Sequence, residues 1–225
     1  MNIRTFEKRD LQSMNRIWNE SVQTGKVIYY YLTEAYFHTK FEKNPHYNPK
    51  YSLVAGVDDE IVGFINGIVK KIFLTNKTNE NSPGDITCFF VHKDYRYRGI
   101  GRVLVDELCK LFKSAGKRSD VISNNNPVNF DWRVPGTYGH DHNNTPGVDM
   151  DSQGYEFLKA IDFEDSDRKI AMYLYLKNYI PWDKLKEQQA QLLSEDIFWK
   201  EKLSLHYLLA RTTAPRASIC AQAFA

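Results

Sequence analysis

The sequence predicts an α/β fold, a mostly antiparallel central sheet with helices on both faces, and three observations lead there. Short runs rich in β-branched residues alternate with stretches whose apolar residues recur at helical spacing. Two of the runs, 51–57 and 61–73, are joined by Asp58-Asp59-Glu60 as an antiparallel hairpin. A further run ending at Val91 passes through a glycine-bearing loop straight into a long amphipathic helix.

In chain order, residues 2–6 alternate apolar and polar as a half-buried strand does. Leu11, Met14, Ile17, Trp18 and Val22 then mark one face of a helix behind Asp10 as its cap. A second helix is expected over 33–41, and 44–49 is rich in turn residues. After the hairpin and a polar loop over 76–84, Ile86 to Val91 reads as the fourth strand. Val103, Leu104, Leu108, Leu111 and Phe112 give the next helix its apolar face, and Gly116 stops it. Val121 and Ile122 form a fifth strand, beyond which residues 124–152 show no sustained periodicity. Such a long irregular stretch inside a compact domain is usually functional. A short helix over 153–161 and a strand over 169–176 complete the unit.

These elements divide the chain into a large domain, 1–177, carrying the insertion 124–152, and a helical extension or linker, 178–208. Residues 209–225 lack Lys, Asn, Asp and Glu and hold as many alanines as all the preceding chain, so they are read as a non-native tail. Of the 225 residues, 42% are hydrophobic and 14% aromatic, enough for a sizeable core. The formal charge of +2 is evenly interspersed, which argues against a nucleic-acid partner. No run approaches the roughly 18 apolar residues of a membrane span, and the three cysteines, Cys88, Cys109 and Cys220, suit a reducing compartment. A cytoplasmic protein without membrane contact is expected.

The chemistry points to Arg96-Tyr97-Arg98-Gly99-Ile100-Gly101. Glycines let backbone N–H groups converge on an anion, and the helix expected to begin at the second glycine, Gly101, adds unpaired donors and the positive end of its dipole. Lys93, Arg96, Arg98 and Arg102 add cations. The Gly-Lys-Ser/Thr of a nucleotide-triphosphate loop is missing, and Leu104 stands where a dinucleotide fingerprint needs a small residue.

In this context the stretch from Val91 to Leu104 resembles the coenzyme A loop of the GNAT superfamily of N-acetyltransferases, Gln/Arg-x-x-Gly-x-Gly/Ala between the fourth strand and a long helix. The order of elements agrees from Met1 to Leu176. The resemblance implies a sheet splayed between its fourth and fifth strands and acetyl-CoA as co-substrate. Backbone N–H groups of Arg96, Tyr97, Arg98, Gly99, Ile100, Gly101 and Arg102 would hold its pyrophosphate, Val91 would pair with the pantetheine arm, and Asn124 would contact the cofactor beyond the fifth strand. Pro146 to Asp149 is also similar to bacterial acetyltransferases that carry a second, related domain, so a missing C-terminal domain or a homodimer is a further expectation.

An alkylamine is mostly protonated at neutral pH, so its attack needs a base. Asp85, sharing a strand face with Thr87, is the candidate base or else simply begins its strand; His92, just past the strand, is expected to face solvent. The family's thiolate-protonating tyrosine would fall at Leu158, and Tyr155, one helical turn earlier, is the substitute candidate or else a packing residue. The insertion lies where the acceptor would enter, and Trp132, Tyr138, His140 and His142 are its candidate acceptor contacts. The spacing of His140, Asp141, His142, Asp149 and Asp151 fits no established ligand set, so no metal is expected. The reading is therefore N-acetyl transfer to a small-molecule or peptide amine by direct attack in a ternary complex. The competing class is a non-catalytic acyl-CoA-binding or regulatory module.

Overall fold

The computed structural model describes residues 1–25, 27–123, 125–132, 147–166 and 183–194. Five strands form one sheet in sequence order, β1 (Asn2–Thr5), β2 (Ser52–Val57), β3 (Glu60–Ile68), β4 (Gly84–Val91) and β5 (Asp120–Val121). Every pairing is antiparallel except the β4–β5 edge, which is parallel. The helices are α1 (Leu11–Gln23), α2 (Glu34–Phe37, continued by a wider turn over His38–Glu42), α3 (Ile100–Ser114), α4 (Gln153–Ala160) and α5 (Asp183–Ser194). Met1–Val148 with Ser152–Asp162 make one compact unit. Asp149–Asp151 and the chain from Phe163 onward belong to a second, to which α5 contributes. Among the described residues, no helix is long and apolar enough to cross a membrane.

Helices cover both faces of the sheet, as the alternation of patterns predicts. On one face, Leu11, Met14, Ile17, Trp18 and Val22 of α1 are buried together with Phe64, Ile68 and Cys88 of the sheet. On the other, α3 lies so close to β3 that a Cβ at Gly67 would stand 2.4 Å from the Phe112 ring. Burial of aliphatic and aromatic side chains at about 25 cal/mol per Å² holds both layers to the sheet.

Three expectations change. Asp10 does not cap α1 with its side chain; it is buried, and Arg4 of β1 grips it through two 2.7 Å hydrogen bonds. A carboxylate out of water is better matched by a bidentate guanidinium than by one backbone N–H. The second hairpin arm ends at Ile68 because β4 begins at Gly84 and its last cross-strand pair is Ile68 with Asp85; the chain beyond turns outward, leaving Ile72 and Leu74 exposed. The helix after the glycine loop starts one residue early, at Ile100. The strand expected over 169–176 and the tail from 209 lie outside the described residues.

Candidate active site

The anion loop is shaped by backbone geometry. After β4 the His92 N–H donates to the Val62 carbonyl (2.8 Å), a short turn over Lys93–Tyr95 follows, and the chain reverses through two left-handed residues, Tyr97 (φ 59°) and Gly99 (φ 80°). Gly99 is the N-cap of α3, and the first intrahelical bond runs from Val103 N–H to the Gly99 carbonyl (3.1 Å). The N–H groups of Ile100, Gly101 and Arg102 precede that bond and have no intrahelical partner.

The two glycines serve different ends. Gly99 is needed for its positive φ, and nothing stands within 4 Å of a Cβ built there, so the space before the helix is open. Gly101 lets α4 come close: its Cβ would lie 3.2 Å from the Phe157 ring. Arg96 ties the loop rather than reaching into that space, because its Nε donates to the Val91 carbonyl (3.0 Å) and its Nη1 to Gln153 Oε1 at the start of α4 (3.1 Å). Val91 therefore keeps its N–H, but not an unclaimed carbonyl, for a partner along the edge. Arg98 lies over the Tyr95 ring, Arg102 is 3.9 Å from Asp106, and Tyr97 is almost wholly exposed.

Beside the loop the sheet opens. β5 pairs with β4 only at Gly84 and Asp85. Gly67 faces Ile86 and Asn66 faces Cys88, which makes Thr87 the extra residue of a β-bulge. Bulges bend a strand and interrupt pairing. Here the Thr87 hydroxyl donates to Asn66 Oδ1 (2.5 Å), while the Thr87 carbonyl accepts from the Asn126 side-chain amide (2.8 Å). Asn126, buried and also accepting from Val128 N–H (3.0 Å), thus takes a position that a continuing fifth strand would occupy. From Cys88 to Val91 the outer edge of β4 pairs with no strand among the described residues.

Asp85 projects from the α1 face: its neighbour Gly84 abuts Phe112 of α3, and its cross-strand partner Ile68 belongs to the α1-side core. The carboxyl is 3% exposed, and burial pushes it above the ordinary carboxylate range against the opposing charge of Lys70. Lys70 Nζ stands 3.1 Å from Oδ2 and 3.4 Å from Oδ1. The Oδ2 contact is ionic but off the line of a hydrogen bond, so Oδ2 keeps no hydrogen-bond donor among the described residues. Tyr155 sits in the first turn of α4 behind its Ser152 cap. Phe157 packs on the loop and on Phe89 of β4 (centroids 5.6 Å), and Leu158 is buried. His92 does not face solvent: its side chain is 12% exposed, with Nε2 3.1 Å from Glu20 of α1.

On the acceptor side, residues 125–132 are a packed wall. Val128, Phe130 and Trp132 are buried, and Phe130 meets Trp18, Tyr29 and Phe41 with centroids 5.3, 5.3 and 5.4 Å apart. Trp132 forms an antiparallel bridge with Tyr29, Lys40 reaches the Asn129 carbonyl (2.6 Å) and Asp131 (2.9 Å), and Asp131 N–H donates to the Tyr36 hydroxyl (2.7 Å). Trp132, expected as an acceptor contact, is buried in this wall and is not an exposed contact. The signal for this wall was present: Val128, Phe130 and Trp132 alternate with Asn129 and Asp131 at the period of a strand. Asn126, Gln153 and Phe157 carry no such signal. Asn124, Tyr138, His140 and His142 lie outside the described residues.

The sequence matches the acetyltransferase (GNAT) family over residues 11–129, from the start of α1 into the packed segment after β5. Among curated proteins, none is a significant sequence match. Of the solved structures, the ribosomal-protein-alanine N-acetyltransferase of Brucella melitensis biovar Abortus 2308 is 15% identical, with 77% of this chain and 98% of that one covered and a TM-score of 0.50. Ard1 of Thermoplasma volcanium is 21% identical, covering 76% and 88% at a TM-score of 0.47. The aminoglycoside 6'-N-acetyltransferase AAC(6')-IG of Acinetobacter haemolyticus is 12% identical, covering 80% and 100%, also at 0.47. At these identities structural likeness speaks for the fold alone. With the family match covering more than half the chain, the molecule belongs to the GNAT family of acetyltransferases, enzymes whose co-substrate is acetyl-CoA.

Proposed function

We propose that this chain transfers the acetyl group of acetyl-CoA to a primary amine by direct attack in a ternary complex. The observation that carries the reading is the unpaired β4 edge, which starts where Asn126 takes the Thr87 carbonyl and runs to the Arg96–Arg102 loop. Such an edge can receive an extended amide chain as it would an added strand. The open space at Gly99, the free N–H groups of the first turn of α3 and the cations of Arg98 and Arg102 suit a pyrophosphate. An edge N–H near the bulge would stabilise the thioester oxygen as it becomes anionic.

In this reading the amine nitrogen bonds to the thioester carbon, the C–S bond breaks, and the amine proton passes to Asp85. Its burial and an Oδ2 that accepts no hydrogen bond among the described residues support that role. The departing thiolate takes its proton from Tyr155, since Leu158 has none to give. Where Tyr155 does not reach the sulfur, water serves instead.

Calorimetry with acetyl-CoA and CoA, followed by thiol release across spermidine, an aminoglycoside and peptide N-termini, tests the proposal. Binding with turnover of at least one amine is the expected result. Absence of binding overturns the site assignment. The second reading, a non-catalytic acyl-CoA module, is favoured by Leu158 at the acid position and predicts tight binding with no thiol release from any amine. Tyr155→Phe should lower kcat by about a hundredfold if Tyr155 is the acid; an unchanged kcat assigns that proton to water.

A further inference from the structure

We propose that Lys70 is a positioning residue for acetyl transfer: its ammonium holds the Asp85 carboxylate in the charged form that can take a proton from the amine. The inference rests on Asp85 being the base. Asp85 lies in an apolar setting, between Ile68 across β3 and Val121 across β5, and almost no water reaches it. A carboxyl so placed favours its neutral form unless a cation is close, and a neutral carboxyl accepts no proton.

The surroundings offer few cations. Lys117 is buried, but its Nζ is committed to the Asn79 carbonyl (3.0 Å) and lies over the Phe73 ring (5.6 Å), so it acts on Asp85 only through space. His46, on the turn before β2, accepts the Lys71 N–H at Nδ1 (3.1 Å), and burial followed by the charges of Lys70 and Lys71 holds its imidazole below the usual range. It adds no positive charge at neutral pH. Asp120, next along on β5, interacts with Cys109 of α3 on the opposite face. Among the described residues Lys70 is therefore the cation at ion-pair distance from Asp85. Its side chain remains 28% exposed, so the ammonium keeps water while touching a carboxylate that has none. Because Lys70 approaches Oδ2 off the hydrogen-bond line, it neutralises the charge without using the lone pair that an amine proton needs.

The sign of the effect is fixed. Activity requires ionised Asp85 and is lost as pH falls through its native value; removing Lys70 raises that value, so the loss comes at higher pH. The test uses the full chain with 13C-labelled aspartate, the Asp85 carboxyl signal being identified by its absence in Asp85→Asn. Its titration is followed by NMR in the wild type, Lys70→Met, Lys70→Gln and Lys70→Arg. Thiol release from acetyl-CoA with spermidine is measured in parallel.

The Asp85 signal should titrate at higher pH in Lys70→Met and Lys70→Gln and near the wild-type position in Lys70→Arg. At pH 6, kcat/KM should fall about tenfold or more in the two neutral variants while staying within about threefold of wild type at pH 9. An Asp85 titration that does not move in either neutral variant overturns the proposal. A titration that moves while the rate profile keeps its shape leaves Lys70 as the group that ionises Asp85 but removes Asp85 as the base, so the two failures are told apart.

Discussion

Tyr97, Arg98 and Gly99 are exposed where the chain enters α3, whereas the segment from Asn125 to Trp132 is fixed by buried side chains. In the loop, function is vested in backbone: a left-handed Gly99, an open space before it, and N–H groups left over by the start of α3. On the acceptor side, Phe130 and Trp132 close over Tyr29 and Trp18, and polar contacts from Lys40, Asn44 and Tyr36 stitch the segment down. An anion of constant shape can be met by a short local motif. The wall over 125–132 follows no such motif and is assembled from residues about ninety positions apart.

Substitutions should separate the two regions, and the largest effect belongs to the loop. Gly99→Glu forces a side chain into a left-handed position and a carboxylate into the open space, so the Kd for acetyl-CoA should rise about a hundredfold or more in calorimetry with the fold retained. Phe130→Ala should do the reverse: about 3–5 kcal/mol of stability lost in denaturant unfolding, with the Kd for acetyl-CoA unchanged below the transition. A large loss of cofactor affinity in Phe130→Ala would end the separation.

Asn126 stands between the regions, because its amide fastens the acceptor-side segment to the bulge that frees the β4 edge. Asn126→Asp puts an acceptor against the Thr87 carbonyl, and kcat/KM should drop about 10- to 100-fold through both kcat and the acetyl-CoA KM. A fall in Tm with unchanged steady-state constants would reduce Asn126 to a stabilising contact. The smallest effect is expected from Gly101→Ala, whose methyl meets only the outer atoms of the Phe157 ring; a few-fold rise in Kd suffices if the ring yields. A rise as large as that of Gly99→Glu would mean that α4 is itself part of the phosphate site.

Much of the fold was legible because its signals are local. The α1 face from Leu11 to Val22, the 52–68 hairpin and the Gly99–Gly116 helix rest on periodicity and on glycines at positive φ. The Thr87 bulge was not legible, since nothing within the strand distinguishes Thr87 from its neighbours; it follows from how Asn66 and Asn126 approach from either side. Reading 124–152 as uniformly irregular missed the alternation from Val128 to Trp132, because five residues between polar stretches are a weak periodic signal. Asp10 was misjudged for a related reason: the local rule for caps takes no account of Arg4, which reaches it from the neighbouring strand.

By itself, the sequence determined the glycine-bearing strand-loop-helix, the order of the elements around it and, from these, the family, because each depends on contacts between residues close in the chain. Only the tertiary structure decided where the sheet opens, which cation faces Asp85 and which aromatic residues pack around Phe130. Those features pair residues from separate elements, 15 positions apart for Lys70 and Asp85 and 39 for Asn126 and Thr87. Such pairings exist only once both helical layers have packed on the sheet.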